Sequence, residues 1–99
     1  MIGLTNMLVL RLHKNQLVSL DNGTFQDMTW INLLSLNTNR LCALPVGLFS
    51  GMVYLEYLYL EVNEISYLHH AMFLDLRALV HLTLNKNVLI QLGDELLSL

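Results

Sequence analysis

The chain contains 99 residues with a formal net charge of −3, and hydrophobic residues make up 55% of it against 13% charged residues. This length suits a single domain, and so apolar a composition excludes a disordered chain. The acidic balance offers no basic stripe for nucleic acid. The longest uncharged segment, residues 41–55, is shorter than the roughly 20 residues that span a bilayer, so no membrane insertion is predicted.

One pattern recurs four times at a spacing of 24 residues and organises the sequence. Its defining columns are Leu10, Leu34, Leu58 and Leu82; Leu12, Leu36, Leu60 and Leu84; and Asn15, Asn39, Asn63 and Asn87. A further column contains Phe25, Phe49, Phe73 and Leu97. Repeats of this length indicate a solenoid, in which each coil contacts only its neighbours and stability accumulates along the stack.

The repeat also predicts the local structure of each coil. Alternate side chains of an extended segment share a face, so Leu58 and Leu60 point inward while Tyr57, Tyr59 and Glu61 point outward. Each coil therefore contributes one short strand, of about five residues, to a parallel sheet. The chain must then turn, and a buried asparagine can bond to the backbone groups that the turn leaves unpaired. The four asparagines are thus predicted to form a structural ladder.

The combined pattern LxxLxLxxNxLxxLxxxxFxxL resembles the typical 24-residue leucine-rich repeat of extracellular proteins such as variable lymphocyte receptors, Toll-like receptors and Slit. The resemblance implies an α/β solenoid, with a curved parallel sheet on its concave side and loops and short helical turns on its convex side. It implies one domain, residues 1–99, with repeats at about 4–28, 29–52, 53–76 and 77–99. It also implies an extracellular location. Such domains carry cysteine-rich caps, which this sequence does not show, so an excised or designed form is an alternative, and for a designed chain the location is open.

The first repeat presents Arg11 and His13 at outward strand positions. It also contains the tripeptide Asn22-Gly23-Thr24, which is a formal N-glycosylation acceptor. Asn-Gly is equally an ordinary turn dipeptide. Asn22 is therefore a candidate glycosylation site on the outer loop, conditional on secretion.

The second repeat presents Leu33 and Asn37 outward and contains the one cysteine, Cys42. A single cysteine forms neither an intramolecular disulfide nor a zinc site. A nucleophilic thiol needs a base within reach, but His13 and His81 are predicted on the opposite, concave side. An inert, partly covered thiol is expected.

The third repeat offers the most distinctive surface. Tyr57 and Tyr59 lie two residues apart on one strand, with Glu61 beyond them and His81 on the neighbouring strand. Tyrosine provides large contact area at low entropic cost and adds a hydroxyl group, which favours recognition surfaces. The alternative is that aromatic residues simply suit strands.

Histidines occur at two further kinds of position. His69 and His70 fall in the outer loop, where successive side chains are expected to diverge, and no third metal ligand is evident. His13 and His81 lie on strands separated by three strand spacings, too far apart to share a metal. No metal site is expected.

The sequence also lacks a nucleophile elbow, a phosphate loop and paired carboxylates in a cleft, so neither an enzyme nor a cofactor is expected. A module that binds a protein partner through the concave sheet face is the first hypothesis. Its candidate contact residues are Tyr57, Tyr59, Glu61, Leu33, Asn37, His81, Arg11 and His13.

The alternative is a structural or designed scaffold, or a receptor fragment, that has no ligand of its own and self-associates. Homo-oligomers would form through uncapped ends or through the apolar sheet face. The end coils are expected to expose Leu10, Leu12, Leu17 and Phe25 on one side and Leu82, Leu84 and Leu89 on the other. The mass of the purified chain over a concentration series separates the two hypotheses.

Overall fold

The computed structural model describes residues 7–92, and for Gln91 and Leu92 it describes the backbone alone. In chain order the elements are β1 (Val9–Arg11), β2 (Leu33–Ser35), β3 (Tyr57–Tyr59), β4 (Tyr67–Leu68), a 3₁₀ helix (His70–Phe73), β5 (His81–Thr83) and β6 (Gln91–Leu92). The outer limits of the first and last predicted repeats, and Leu97 of the phenylalanine column, lie outside the described residues.

The main sheet is parallel and contains four strands in the order β1-β2-β3-β5. Its register follows the repeat, since Leu10 pairs with Leu34, Leu34 with Leu58, and Leu58 with Leu82. This confirms the predicted repeat solenoid with a parallel sheet. The strands have three residues instead of the five expected, although backbone bonds such as Leu12 N to Ser35 O, at 2.8 Å, extend the ladder beyond them.

Inward leucines and the phenylalanine column form the core. Leu58 and Leu60 are completely buried, and the Phe49 and Phe73 rings lie 6.4 Å apart between their centroids. The expected exposure of Phe25 is wrong, because its ring is 1% exposed. This segment forms a series of turn hydrogen bonds, for example from Met28 N to Phe25 O at 3.0 Å. The Phe25 ring packs within the hydrophobic core. The strand leucines of the end coils are half-buried: Leu10, Leu12, Leu82 and Leu84.

A second, smaller sheet follows the asparagine turns. β4 pairs in parallel with β6, and an isolated bridge joins Ala43 to Tyr67. Ala43, Tyr67 and Gln91 occupy one column of the 24-residue repeat. The second pairing therefore has the same periodic origin as the first, although the varied residues of this column give no strand signal in the sequence.

The residue before each ladder asparagine adopts a left-handed backbone conformation. The φ angles are 58° or 59° at Lys14, Thr38, Val62 and Lys86. This conformation turns the chain out of the strand while its amide still bonds across the stack, as from Val62 N to Asn85 O at 3.0 Å. Thr38 and Val62 are the least suited of the four, because β-branched side chains are strongly disfavoured there.

Replacing Val62 with asparagine is expected to raise the free energy of unfolding by about 1 kcal/mol, because asparagine tolerates the left-handed conformation that costs other residues roughly 1–2 kcal/mol. Urea denaturation measures the difference. Val88→Asn is the matched control, since Val88 is exposed and is not among the positive-φ residues. Equal stabilisation at both positions would attribute the gain to polarity instead of backbone strain.

Candidate functional site

The solvent side of the main sheet carries three rows of side chains that run across the strands; we call this surface the open face. The rows contain Val9, Leu33, Tyr57 and His81; Arg11, Ser35, Tyr59 and Thr83; and His13, Asn37, Glu61 and Asn85. It includes all eight residues predicted to contact a partner. The first row is largely apolar and aromatic, whereas the third is polar, so the open face changes character from one edge to the other.

Aromatic rings cluster on β3 and β5, which are neighbours in the main sheet. The ring of His81 lies 6.1 Å from that of Tyr57 and 5.5 Å from that of Tyr59, in tilted arrangements. Both tyrosines are half-buried, and His81 is exposed. The buried Leu58 holds this strand to the core from behind. The cluster is thus a partly exposed aromatic surface on a fixed backbone.

Glu61 is held in place by the neighbouring coil. Its Oε1 accepts a hydrogen bond from the hydroxyl of Thr83, and the same Thr83 oxygen accepts a bond from Leu60 N at 3.2 Å. A hydrogen bond to a carboxylate is charge-assisted and stronger than one between neutral groups. The carboxylate therefore has a defined orientation beside the tyrosines.

A depression lies in the middle row, at Ser35. Ser35 is 3% exposed and lies between the much larger Arg11 and Tyr59. Its hydroxyl forms a 3.2 Å hydrogen bond with Nδ1 of His13. We call this feature the Ser35 depression; its volume is about 240 Å³ and its lining is Arg11, His13, Ser35, Asn37, Tyr59 and Glu61.

The asparagine column joins successive coils beneath one edge of the open face. Asn63 accepts a bond from Leu41 N at 3.0 Å and donates to Leu36 O and Leu60 O, both at 3.1 Å. Leu36 and Leu41 belong to the preceding coil, so one side chain bridges two coils. The same three kinds of bond are made by Asn39 and Asn87.

Asn15, in the first coil, differs from the other three asparagines. It is exposed, and its amide donates to Leu12 O at 3.0 Å and His13 O at 3.3 Å, both within its own coil. Among residues 7–92 its amide oxygen accepts no hydrogen bond. The structure thus places three of the four predicted ladder residues between coils, while Asn15 lies in the first described coil.

Comparison with known families matches residues 31–89 to the family model described as leucine rich repeat. The matched segment is more than half of the chain. The chain belongs to the leucine-rich repeat family. Domains of this family generally mediate protein–protein interaction, and their fold is a non-enzymatic one.

A solved structure described as the leucine-rich repeat domain of APL1B matches the chain with a TM-score of 0.74 and 26% sequence identity. The match covers 81% of this chain and 24% of that one, so the leucine-rich repeat chain described here spans about a quarter of its length. No curated protein matches. None of the helices within residues 7–92 has the length and hydrophobicity to cross a bilayer.

The candidate glycosylation site of this leucine-rich repeat chain lies on a convex turn. Asn22 is exposed, and its Oδ1 accepts a hydrogen bond from Gly47 N at 3.0 Å. Thr24 of the same tripeptide donates its hydroxyl to Asp21 O at 2.8 Å. Glycosylation of Asn22 stays a prediction.

The two outer-loop histidines do not diverge as expected. Their rings stack at 4.7 Å with an angle of 23°. His69 is extended and caps the 3₁₀ helix, where its Nδ1 accepts from Ala71 N at 3.0 Å; His70 begins the helix. This change of conformation between neighbours brings the two rings together. No group of three or more potential metal ligands occurs within residues 7–92.

Cys42 is exposed, which makes the expectation of a partly covered thiol wrong. Its repeat column faces solvent, as the exposed Val18 and Ile90 show. The sulfur lies 3.5 Å from Arg40 O and 3.9 Å from a carboxylate oxygen of Glu64.

One exposed aromatic pair was not predicted from the sequence. Trp30 and Tyr54 stack at 4.9 Å with nearly parallel rings, and 62% of Trp30 is exposed. The two residues lie 24 positions apart and hence share a repeat column. Their shared repeat column could have predicted that the two rings lie side by side. They lie outside the strands, however, and only strand positions were considered as contact residues.

Proposed function

We propose that this leucine-rich repeat chain recognises a protein partner through the open face. The observation that supports this most is the partly exposed cluster of Tyr57, Tyr59 and His81. The two tyrosines lie on β3, whose inward Leu58 is completely buried, and His81 lies on the neighbouring β5. Recognition surfaces favour such aromatic residues because they provide contact area with few rotatable bonds. A rigid strand keeps the ordering cost of binding low.

The polar rows add specificity to the aromatic contact. Glu61 has a fixed orientation through Thr83, and His13 through Ser35. Polar groups that are already oriented lose little freedom on binding and discriminate against partners that leave them unpaired. The open face thus offers an aromatic anchor beside oriented hydrogen-bonding groups.

The size of the open face limits its affinity. Four strands at about 4.8 Å spacing give a width of roughly 15 Å, whereas a standard interface buries about 800 Å² on each partner. The open face of these four strands covers only part of that area. We therefore expect the isolated chain to bind its partner weakly, with tighter binding where flanking loops contribute.

The combined substitution Tyr57→Ala and Tyr59→Ala is expected to weaken partner binding by about 30-fold or more, the loss of roughly 2 kcal/mol typical of a central aromatic anchor. Isothermal titration calorimetry with the partner measures the change. Both side chains are partly exposed, so the fold is expected to tolerate their loss.

Tyr67→Ala is the matched control, because Tyr67 is exposed and lies in β4, outside the main sheet. Its removal should leave affinity within about twofold, as expected of a residue outside the interface. An affinity unchanged by the double substitution, or reduced equally by Tyr67→Ala, would contradict recognition through the open face.

Self-association stays a prediction. β1 and β5 each have one neighbour in the sheet formed by the described residues, and the leucines Leu10 and Leu82 of these strands are half-buried, whereas Leu34 and Leu58 are fully buried. A second copy of the chain is therefore the alternative partner, and it would occupy the ends of the sheet instead of the open face.

A further inference from the structure

We propose that the Ser35 depression receives the carboxylate of an aspartate or glutamate side chain of the protein partner. The inference rests on the proposed recognition through the open face and specifies the chemistry of one contact within it. It follows from the shape of the depression, from the unpaired donors around it and from the position of its one acidic group.

The depression exists because a small residue separates two large ones. Ser35 lies between Arg11 on one strand and Tyr59 on the next, and this residue, 3% exposed, forms the floor. The depression is open on its solvent side, and its volume of about 240 Å³ is enough for one acidic side chain.

Arg11 provides the principal charge. Its side chain is exposed at the rim, and within residues 7–92 it forms neither an ion pair nor a side-chain hydrogen bond. A guanidinium group has five N–H donors and no acceptor, in a planar arrangement that fits both oxygens of a carboxylate. The unpaired Arg11 is thus available to bind an acidic group in bidentate fashion.

The other walls supply further donors. Where the Ser35 hydroxyl donates to Nδ1 of His13, Nε2 of that ring carries the proton and is a further donor for a ligand. The amide of Asn37 makes only a long 3.5 Å bond to Thr38 Oγ1, and the hydroxyl of Tyr59 forms no hydrogen bond within the described residues. Donors outnumber acceptors in the depression, which favours a carboxylate over an amide or a hydroxyl group.

Among residues 7–92, Glu61 is the one acidic residue that lines the depression. Its carboxylate is oriented by the hydroxyl of Thr83 and is not paired with Arg11. A second carboxylate at Arg11 would be repelled by this charge, since like charges interact unfavourably over several ångströms near a protein surface. Glu61 therefore lowers the affinity of the depression for an acidic side chain, and removing its charge is expected to raise that affinity.

The probe is N-acetyl-glutamate N-methylamide, and its comparison compound is the uncharged N-acetyl-glutamine N-methylamide. Titration of the ¹⁵N-labelled chain by NMR is expected to give saturable shifts at the amides of Arg11, Ser35 and Tyr59 for the glutamate compound. Arg11→Gln should weaken this binding about tenfold or more, because it removes a charge-assisted bidentate contact. Glu61→Gln should strengthen it about threefold or more.

Arg77→Gln is the control, because Arg77 is exposed and is not part of the depression. It should leave probe binding unchanged, while thermal unfolding shows that each variant is folded. Equal shifts with the glutamine compound, absence of saturable shifts, or weaker binding in Glu61→Gln would overturn the proposal.

The outcome is separable from that of the proposed function, because the probe titration needs no partner. Failure of the probe together with loss of partner binding in the double tyrosine variant would remove the carboxylate contact and leave recognition through the open face standing. Probe binding with a partner affinity insensitive to Tyr57 and Tyr59 would show that the depression binds a carboxylate, but it would contradict recognition of the partner through the open face.

Discussion

Replacing Asn63 with alanine is expected to lower the free energy of unfolding by about 3 kcal/mol or more. The side chain is 7% exposed and satisfies Leu41 N, Leu36 O and Leu60 O. Its removal leaves Leu41 N unpaired in the core, which costs roughly 1–3 kcal/mol. Leu36 O and Leu60 O each lose one of two amide donors and keep the other, from Asn39 and Asn87 respectively. These two lost bonds, at about 0.5–1.5 kcal/mol each, make up the rest of the expected effect. The loss is expected to affect two coils at once, because the bonds join them.

Asn15→Ala is the matched control for that substitution. The exposed Asn15 bonds to carbonyl groups of its own coil, which water can also reach, so its loss should cost less than about 1 kcal/mol. Urea denaturation followed by circular dichroism gives both values from the shift in midpoint. Similar losses at Asn15 and Asn63 would show that the asparagine stabilises its own turn and not the junction between coils.

The substitution Phe49→Ala is expected to lower the free energy of unfolding by about 3–5 kcal/mol. The ring is fully buried in the middle of the stack and lies against that of Phe73. Its removal loses the transfer free energy of the ring and leaves a cavity that the neighbouring coils can close only partly. The same denaturation experiment measures the loss.

Leu74→Ala is the control, because Leu74 follows Phe73 directly and is 66% exposed. Exposed substitutions of this kind change stability by less than about 0.5 kcal/mol. A small effect of Phe49→Ala, comparable to that of Leu74→Ala, would mean that the convex phenylalanine column contributes little to the core and that the sheet leucines suffice.

The parts of the structure that repeat were predictable from the sequence. Leu58 and Leu60 differ from Tyr57 and Tyr59 by one position, and the period of two in a strand assigns them to opposite faces. The 24-residue spacing then places His81 beside both tyrosines, as the ring distances show. These inferences hold because each coil packs on its neighbour in the same register.

The features that depend on single residues were not predictable. The Ser35 depression results from the difference in size between one serine and its neighbours, Arg11 and Tyr59, which no periodic pattern encodes. The stacking of His69 on His70 depends on a change from extended to helical backbone between two adjacent residues. Local backbone geometry of this kind follows from the packed structure and leaves little trace in residue type.

The left-handed positions show a further limit. Thr38 and Val62 are β-branched residues that the sequence alone would assign to strands, yet both have a φ near +58°. The register of the coil, set by the buried leucines and asparagines on either side, overrides the preference of the single residue. Such strain is detectable from structure and is the basis of the stabilisation expected in Val62→Asn.

Recognition through the open face is tested most directly by site-specific cross-linking of the partner. Benzoylphenylalanine replaces either Tyr59, on the open face, or Tyr67, in β4 outside the main sheet. The open-face hypothesis predicts that the partner is cross-linked from position 59 and not from position 67. Cross-linking from position 67 alone, or equally from both, would contradict it.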